Sequence, residues 1–498
     1  MSIIKIANLS YEYETSSSEI FSDLNINLDS SWKLGLVGRN GAGKTTFLNL
    51  LRGKLTAKGR IESKNSFSYF PIQIEDEENL AIYEIQKEVT VQQWEIEREM
   101  NLLELDPSLL WQPYNTLSGG EKTKLLLAAS FADQDGFPLI DEPTNHLDEK
   151  SRKEIAQYLK NNKSGYIVVS HDRDFLNEVT DHVLAIENTE IHLYQGNYSS
   201  YEDTKEKRDA FNQSKNAKLQ KEINSLTKSA QRVRGYSEKS EKQKSATSHK
   251  NEIHANIDRG FVSHKAAKIM KKSKNIEQRV DKSIDSKIGL LQNIEHVPEL
   301  TMNFTPDYHQ ELINLQKFGI KFDDGTNLFK NLNLEIANNT IVALEGENGS
   351  GKTTLVNYLL GKNKHIQVSG KVTIQSGLKI SYLPQNFTEY HGDLKDFAQK
   401  QKISYENLLN NLRKMGFKRE TFNVPIEKMS MGQQKRVAIA KSLVEEASLY
   451  IWDEPANYLD IYNQNQLIDL LKNVKPAMLL IEHDKYFIEQ VADEKISL

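Results

Sequence analysis

At 498 residues the chain is too long for one ordinary hydrophobic core, so two or more domains are expected. It contains no cysteine, which excludes disulfides and thiolate-bound zinc and suits a reducing compartment. The net charge of −5 hides an asymmetry: residues 205–287 hold 22 Lys and Arg against 10 Asp and Glu, a local +12, so the rest carries −17.

The amino terminus, MSIIKIANLSYEYE, shows no basic stretch followed by an apolar one, so no secretory signal is expected. Apolar runs such as YIVVS (166–170) and AMLLI (477–481) fall far short of the roughly 20 residues that cross a bilayer. The expectation is a soluble, cytoplasmic protein.

In chain order, Leu34–Val37 reads as a buried parallel strand leading into a Gly-rich loop and a helix. The loop has Gly38, Gly43, Lys44 and Thr45 at P-loop spacing, with Asn40, Gly41 and Thr46 filling it out. Glycines let backbone N–H groups wrap the α/β-phosphates at a helix N-terminus, lysine reaches the β/γ-phosphates, and the threonine hydroxyl binds Mg2+. A Gly-rich turn with an exposed lysine would explain one such match. LSGGE (117–121) follows, and then FPLIDE (137–142), a strand ending in Asp141 and Glu142. An aspartate there holds Mg2+, and a glutamate one residue on can polarise the attacking water. YIVVSH (166–171) is a strand ending in His171.

The same series then returns. ALEGENGSGKTTLVNYL (343–359) repeats the loop, with Gly346, Asn348, Gly349, Gly351, Lys352, Thr353 and Thr354. MSMGQ (429–433) supplies Ser430, Gly432 and Gln433; SLYIWDE ends in Asp453 and Glu454; AMLLIEH ends in His483. The loop lysines lie 308 residues apart and the later motifs 312, so one α/β domain is duplicated. Surface acids or a structural histidine would explain one copy of each motif poorly and two in register hardly at all. The expected architecture is two P-loop α/β ATPase domains, residues 1–202 and 299–498, joined by a helical-hairpin linker over 203–298.

The linker carries the positive charge. Leu219, Ile223, Leu226, Ala230 and Val233 are spaced 4, 3, 4 and 3 apart, a coiled-coil seam. Ile269, Ile276, Val280, Ile284, Ile288 and Leu291 form a second apolar stripe, and the polar stretch between has no apolar period. Two antiparallel helices are predicted, the first over about 203–240 and roughly 55 Å long, with the tip about 241–262. A solvated coiled-coil face needs only mixed charge, whereas a one-sided basic surface attracts phosphate backbones. From the residues alone a solvated coiled-coil face and RNA contact both stay open; without an RNP-like aromatic motif, RNA contact would run through shape and phosphates. Phe261, Val262, Ile269 and Met270 either meet an apolar surface or cap the hairpin.

Gly-rich loop, LSGGE or MSMGQ signature, aspartate–glutamate strand end and switch histidine, in that order and twice, resemble the ATP-binding cassette (ABC) superfamily. The resemblance implies an ATP hydrolase with ATP and Mg2+ as cofactors. It implies two composite sites, each ATP held between one P-loop and the opposite signature. Ser118, Gly119 and Gly120, or Ser430, Gly432 and Gln433, would offer donors to the γ-phosphate, and His171 and His483 would touch it as well. Tyr13, with Tyr11 as a competitor, and Phe322 match the aromatic that stacks on adenine. Gln73 and Gln385 match a glutamine near Mg2+, although Ile72 intervenes between Pro71 and Gln73 while Gln385 directly follows Pro384. Met431 stands where the first signature has Gly119, and Glu482 where the first cassette has Ser170. The two sites are therefore expected to differ in hydrolysis rate, with neither dead.

The DEPTNHLD wording and the long basic insert resemble the ABC-F group, twin-cassette ATPases that act on ribosomes. Lys44 to Ser118 spans 74 residues and Lys352 to Ser430 spans 78, so no large extra arm is expected in either cassette. Fifteen residues follow His483, and no C-terminal extension is expected. SWKLGL, YQGNYSSYE and LYIWDEPANYLD are similar to Lsa/Vga-type antibiotic-resistance proteins of Gram-positive bacteria. That resemblance implies a monomer, its cassettes paired within one chain, that binds the tRNA exit site of the 70S ribosome in its ATP-closed form. It implies contact with large-subunit rRNA, displacement of peptidyl-site tRNA, and release of lincosamides, pleuromutilins and streptogramin A. A housekeeping ABC-F translation factor and the ATPase subunit of a transporter stay open as alternatives.

Overall fold

The computed structural model describes residues 2–13, 19–145, 147, 149–187, 189–247, 279–280, 282, 298–322, 327–346, 349–362, 366–387 and 389–498. The chain divides into one unit of Met1–Tyr201 with Val297–Leu498 and another of Glu202–His296. Asn348, most of the 241–262 tip, Phe261, Val262, Ile269, Met270 and the stripe from Ile276 to Leu291, apart from Val280, lie outside the described residues.

The larger unit holds two cassettes, each built on a parallel sheet. In the first, the strands run in the order Ser66–Phe70, Gly136–Asp141, Tyr166–Val169, Lys33–Val37, His182–Glu187 and Glu190–Gln195. All pair in parallel except the last, which turns back antiparallel on His182–Glu187. The second cassette repeats the pattern as Ile380–Leu383, Leu449–Asp453, Met478–Ile481, Ile341–Glu345 and Glu494–Ser497, all parallel. Runs such as YIVV and MLLI are buried along their whole length, as strands covered on both faces must be. Parallel pairing brings the carboxyl ends of neighbouring strands to one edge of the sheet. Register then puts Asp141 opposite Val169 and Asp453 opposite Ile481. Ligand chemistry collects at that edge.

An antiparallel sheet covers each P-loop helix: Phe21–Asp29, Ile3–Tyr11 and Lys58–Glu62 in the first cassette, Asn327–Ala337, Glu311–Phe322 and Ile366–Ile374 in the second. Phe21 and Phe47 meet edge to face at 5.9 Å among Leu34, Leu36 and Leu48, all fully buried. Each such side chain contributes about 1.5–3 kcal/mol on leaving water. On the other side, helix Gln93–Leu102 turns Ile96 and Met100 into a core with Leu125 and Ala128 of helix Gly119–Phe131. Helix Tyr405–Lys414 does the same with Leu408 and Leu412 against Val437 and Ala440.

A single helix, Tyr198–Thr247, leads into the smaller unit. Its 50 residues extend about 75 Å at 1.5 Å per residue. It starts earlier than expected because Asn197 Oδ1 accepts from Ser200 N at 3.2 Å and Ser200 Oγ at 2.9 Å, capping the first turn. It also continues past 240, into the stretch read as the tip. That stretch lacks an apolar period, but its helical part, EKQKSAT (241–247), contains good helix formers in Glu, Lys, Gln and Ala. On the predicted seam Ile223 is buried and Leu219 and Leu226 are half-buried. No helix among the described residues is long and apolar enough to cross a membrane.

Candidate active site

The first P-loop is shaped by glycine. Gly43 has φ 104°, and a Cβ there would fall 2.5 Å from Ile20 Cγ2; Gly351 repeats this at φ 106° against Leu328. Helix Lys44–Leu51 starts from this turn, and Lys44, 8% exposed, donates from Nζ to Gly38 O at 2.8 Å. Lys352 repeats the bond to Gly346 O at 2.7 Å. Burial pushes the Lys44 ammonium down, opposed by Asp460, Glu142 and Asp141.

Asp141 Oδ2 accepts from Thr45 Oγ1 at 3.0 Å and from Tyr69 OH at 3.1 Å. Asp453, 2% exposed, lies in the field of Lys352, with Oδ2 buried and without a hydrogen-bond partner among the described residues; burial and Glu454 push its carboxyl up to about 6. A threonine hydroxyl beside a carboxylate, and a buried carboxylate oxygen still lacking a partner, fit a hard cation that keeps water and phosphate as its other ligands. Gln73 and Gln385 are exposed; Gln73 lines a cavity of about 570 Å³ with Arg52, Tyr69 and Glu88.

Glu142 and Glu454 adopt left-handed backbone, φ 54° and 50°, a conformation costly for residues with a Cβ. Hydrogen bonds from Glu142 N to Val169 O at 2.9 Å and from Glu454 N to Ile481 O at 2.8 Å hold it. The turn carries each glutamate toward its histidine: His171 Nε2 stands 3.2 Å from Glu142 Oε1, and His483 Nε2 3.8 Å from Glu454 Oε1. Burial, with Asp141 beside it, pushes the Glu142 carboxyl up to about 8. Burial and nearby Lys44 hold the His171 imidazole well below its usual range.

The first P-loop faces the second cassette. Asn40 N donates to Asp460 Oδ2 at 2.5 Å, and Asn40 Nδ2 to Tyr458 O at 3.3 Å. A Cβ on Gly432 would lie 2.9 Å from Tyr458 O and 3.5 Å from Asn40 Nδ2, so only glycine admits this approach. A cavity of about 400 Å³ joins the two sides, with Gly41, Glu142 and His171 from one cassette and Ser430, Gly432 and Gln433 from the other. Ser430 caps its helix in a capping box with Gln433, Ser430 N donating to Gln433 Oε1 at 3.0 Å. Arg436 also lines the cavity, its guanidinium donating to Gly432 O and Met415 O. Tyr13 sits at the mouth of the same P-loop, its hydroxyl 2.9 Å from Thr46 Oγ1 and its ring edge-on to Tyr11.

Around the second P-loop, Gly346 and His483 line a cavity of about 490 Å³ with Glu149, Lys150 and Lys153 of the first cassette. Lys485 Nζ and Glu149 Oε1 pair across it at 2.7 Å. Ser118, Gly119 and Gly120 are not among its lining residues, although Ser118 and Glu121 form the matching capping box. Gly349 has φ 83°, Thr353 is exposed and Thr354 half-buried. Phe322 is half-buried at the end of its strand, opposite Ile366.

Sequence reading passed over Tyr69, Tyr458, Asp460 and Lys435. The signal for the first was present: SYF and SYL place Tyr69 and Tyr382 just before the glutamine segments of both cassettes.

An ABC transporter family model matches residues 21–145 and 329–457, and a second ABC transporter model matches residues 184–258. The ribosome protection protein VmlR of Bacillus subtilis is 31% identical over 99% of this chain and 86% of its own length. The ATP-binding protein Uup of Buchnera aphidicola is 27% identical over 99% of this chain and 80% of its own. Among solved structures, an archaeal ribosome recycling factor, aABCE1, superposes with a TM-score of 0.62 at 19% identity, over 98% of this chain and 87% of that one. That last likeness is one of fold.

Proposed function

This chain belongs to the ABC-F group of ATP-binding cassette ATPases, and from that premise we propose that it is a ribosome-protecting enzyme. The observation that carries the reading is the 31% identity to a ribosome protection protein over 99% of the chain, a span that takes in the basic linker as well as both cassettes. The ATP-bound, closed form binds the tRNA exit site of the bacterial ribosome. The linker then displaces peptidyl-site tRNA, and lincosamides, pleuromutilins or streptogramin A leave the large subunit. Hydrolysis lets the protein depart. The work is cytoplasmic, and a single chain supplies both cassettes.

Within each site the roles divide by geometry. Lys44 and Lys352, with the loop glycines, hold the phosphates. Magnesium brought in with ATP would be held by Thr45 and Asp141, or Thr353 and Asp453, where it would neutralise charge on the β/γ-oxygens. Glu142 and Glu454 orient the attacking water, and His171 and His483 steady them and the γ-phosphate. Ser430 and Gly432 present a helix N-terminus to the nucleotide on the first P-loop. Ser118 and Gly120, which do not line the cavity at the second P-loop, would do so for the second once ATP closes that site.

The test traps the closed state. With Glu142→Gln and Glu454→Gln together, ATP is expected to carry the protein into the ribosome pellet, because closure is intact and hydrolysis is blocked. A double variant that stays in the supernatant sinks the ribosome reading. The 27% identity, over 99% of the chain, to a protein named only for binding ATP makes a housekeeping ABC-F translation factor the second reading. Expression in a susceptible Gram-positive host separates the two: protection from the three drug classes is expected, and unchanged susceptibility favours the housekeeping role.

A further inference from the structure

The two cassettes differ at three corresponding positions, two of which are in contact. Thr123, Thr144 and Ser170 of the first correspond to Lys435, Ala456 and Glu482 of the second. In the first cassette, Thr144 Oγ1 and Ser170 Oγ share a hydrogen bond of 3.0 Å, and Ser170 Oγ accepts from Asp172 N at 3.1 Å. Thr123 Oγ1 donates back to Gly119 O at 3.0 Å.

The second cassette replaces this hydroxyl pair with charge. Alanine at 456 leaves room for a longer side chain, and Glu482, 2% exposed, fills it. Its Oε2 accepts from Ala456 N at 2.9 Å; its Oε1 accepts from His483 N at 2.8 Å and Asp484 N at 3.2 Å. Lys435, 1% exposed, donates from Nζ to Asp453 O at 3.4 Å and lies in the field of Glu482, Glu454 and Asp453. Its ammonium also stands 5.8 Å from the ring centre of buried Phe387, just past Gln385. Three changes therefore form one unit: space, a carboxylate and its counter-charge.

What Glu482 grips gives the unit its meaning. Ala456 begins the segment that runs to Asp460. Within it Tyr458, at φ 64°, turns its carbonyl to Asn40, and Asp460 accepts from Asn40 N. One carboxylate thus holds the turn of the second site's histidine and the segment that closes the first site. Stability does not demand buried opposite charges there, since a neutral hydroxyl pair fills the place of Glu482 in the first cassette; buried charge serves specificity or switching in some proteins.

We propose that Glu482, with Lys435 as its counter-charge, is a positioning residue that couples the two ATP sites, tying the switch turn at His483 to the 456–460 segment docked on the first P-loop. A rearrangement of the second site's switch is thereby passed to the closure of the first. The inference rests on the assignment of Glu142 and Glu454 to separate sites.

Steady-state ATP hydrolysis by the full chain tests it through additivity. Glu142→Gln leaves the second site to turn over, and Glu454→Gln leaves the first. If the sites are coupled, the kcat values of these two variants sum to at least threefold less than that of the parent. Glu482→Ser alone would leave a cavity and remove one of three carboxylates around buried Lys435, so the decisive background is the triple change Lys435→Thr, Ala456→Thr, Glu482→Ser, which installs the first cassette's own side chains. There the two single-site kcat values are expected to sum to the value of the triple variant itself. The near-isosteric pair Lys435→Met, Glu482→Gln removes both charges together and is expected to restore additivity as well, should the triple variant fold poorly. An additive parent, or backgrounds as non-additive as the parent, overturns the coupling role. If neither glutamate substitution lowers turnover, the site assignment fails instead.

Discussion

Asp141 is held by two neutral hydroxyls, from Thr45 and Tyr69, and burial pushes its carboxyl up. Tyr69→Phe removes one hydrogen bond of about 0.5–1.5 kcal/mol without changing shape. The expected outcome is about twofold to tenfold weaker binding of magnesium-ATP, read by titration, with the thermal transition little changed. Glu142 and Glu454 carry a larger share, because their left-handed turns bring each carboxylate toward its histidine at the phosphate edge. Each glutamine substitution is expected to cut turnover at its own site by about 10²–10⁴-fold while ATP binding persists, measured as hydrolysis against nucleotide affinity. Most residues of this kind were legible because the chain states each motif twice. Tyr69 recurs as Tyr382 in the second copy, but its role is visible only once its hydroxyl is seen to reach a carboxylate, since a tyrosine in an apolar strand otherwise reads as core.

Among elements, the helix Ala81–Glu88 shows how one buried acid organises a loop. Glu84, fully buried, accepts from Glu75 N, Asp76 N and Asn79 Nδ2 and pairs with Lys87 at 2.7 Å. The bonds from Lys87 and Asn79, more than any other, hold its carboxyl down to about 2 against an ordinary 4.5. A depressed carboxyl stabilises fully above its unfolded value and loses that contribution as pH falls through its folded one. The denaturation midpoint is therefore expected to drop between about pH 4.5 and 2, and to drop less in Glu84→Gln, which lacks the charge throughout. Buried strands such as Tyr166–Val169 and Met478–Ile481 were readable from apolar run length. The extent of Tyr198–Thr247 was not, because a polar stretch with good helix formers has no apolar stripe to mark it.

At the scale of the whole molecule, Asp460 joins the cassettes while finishing its own helix. Oδ1 caps Ile461–Val474 by accepting from Asn463 N at 2.8 Å, and Oδ2 accepts from Asn40 N across the interface. Serine caps about as well as aspartate but brings no charge to the second bond. Asp460→Ser is thus expected to keep thermal stability and to weaken ATP-driven closure about tenfold or more, since a charge-assisted bond contributes about 1.5–3 kcal/mol. The ATP dependence of ribosome trapping in the hydrolysis-blocked background measures this. Replacing the 241–262 loop is expected to abolish drug protection and spare basal ATPase activity, and loss of both together would make that loop structural. By itself, the sequence determined that a nucleotide-binding domain is repeated, which motif residues recur in register in its loops and at its strand ends, and that the stretch between the copies is basic. These are local or periodic properties, fixed by residue type and spacing. Only tertiary structure decided that Gly432 lies against Asn40, that Asp460 crosses between cassettes, and that Glu482 takes the place of a hydroxyl pair while gripping two loops. Those contacts join residues up to 420 positions apart, and their geometry comes from packing between cassettes, which no spacing along the chain encodes.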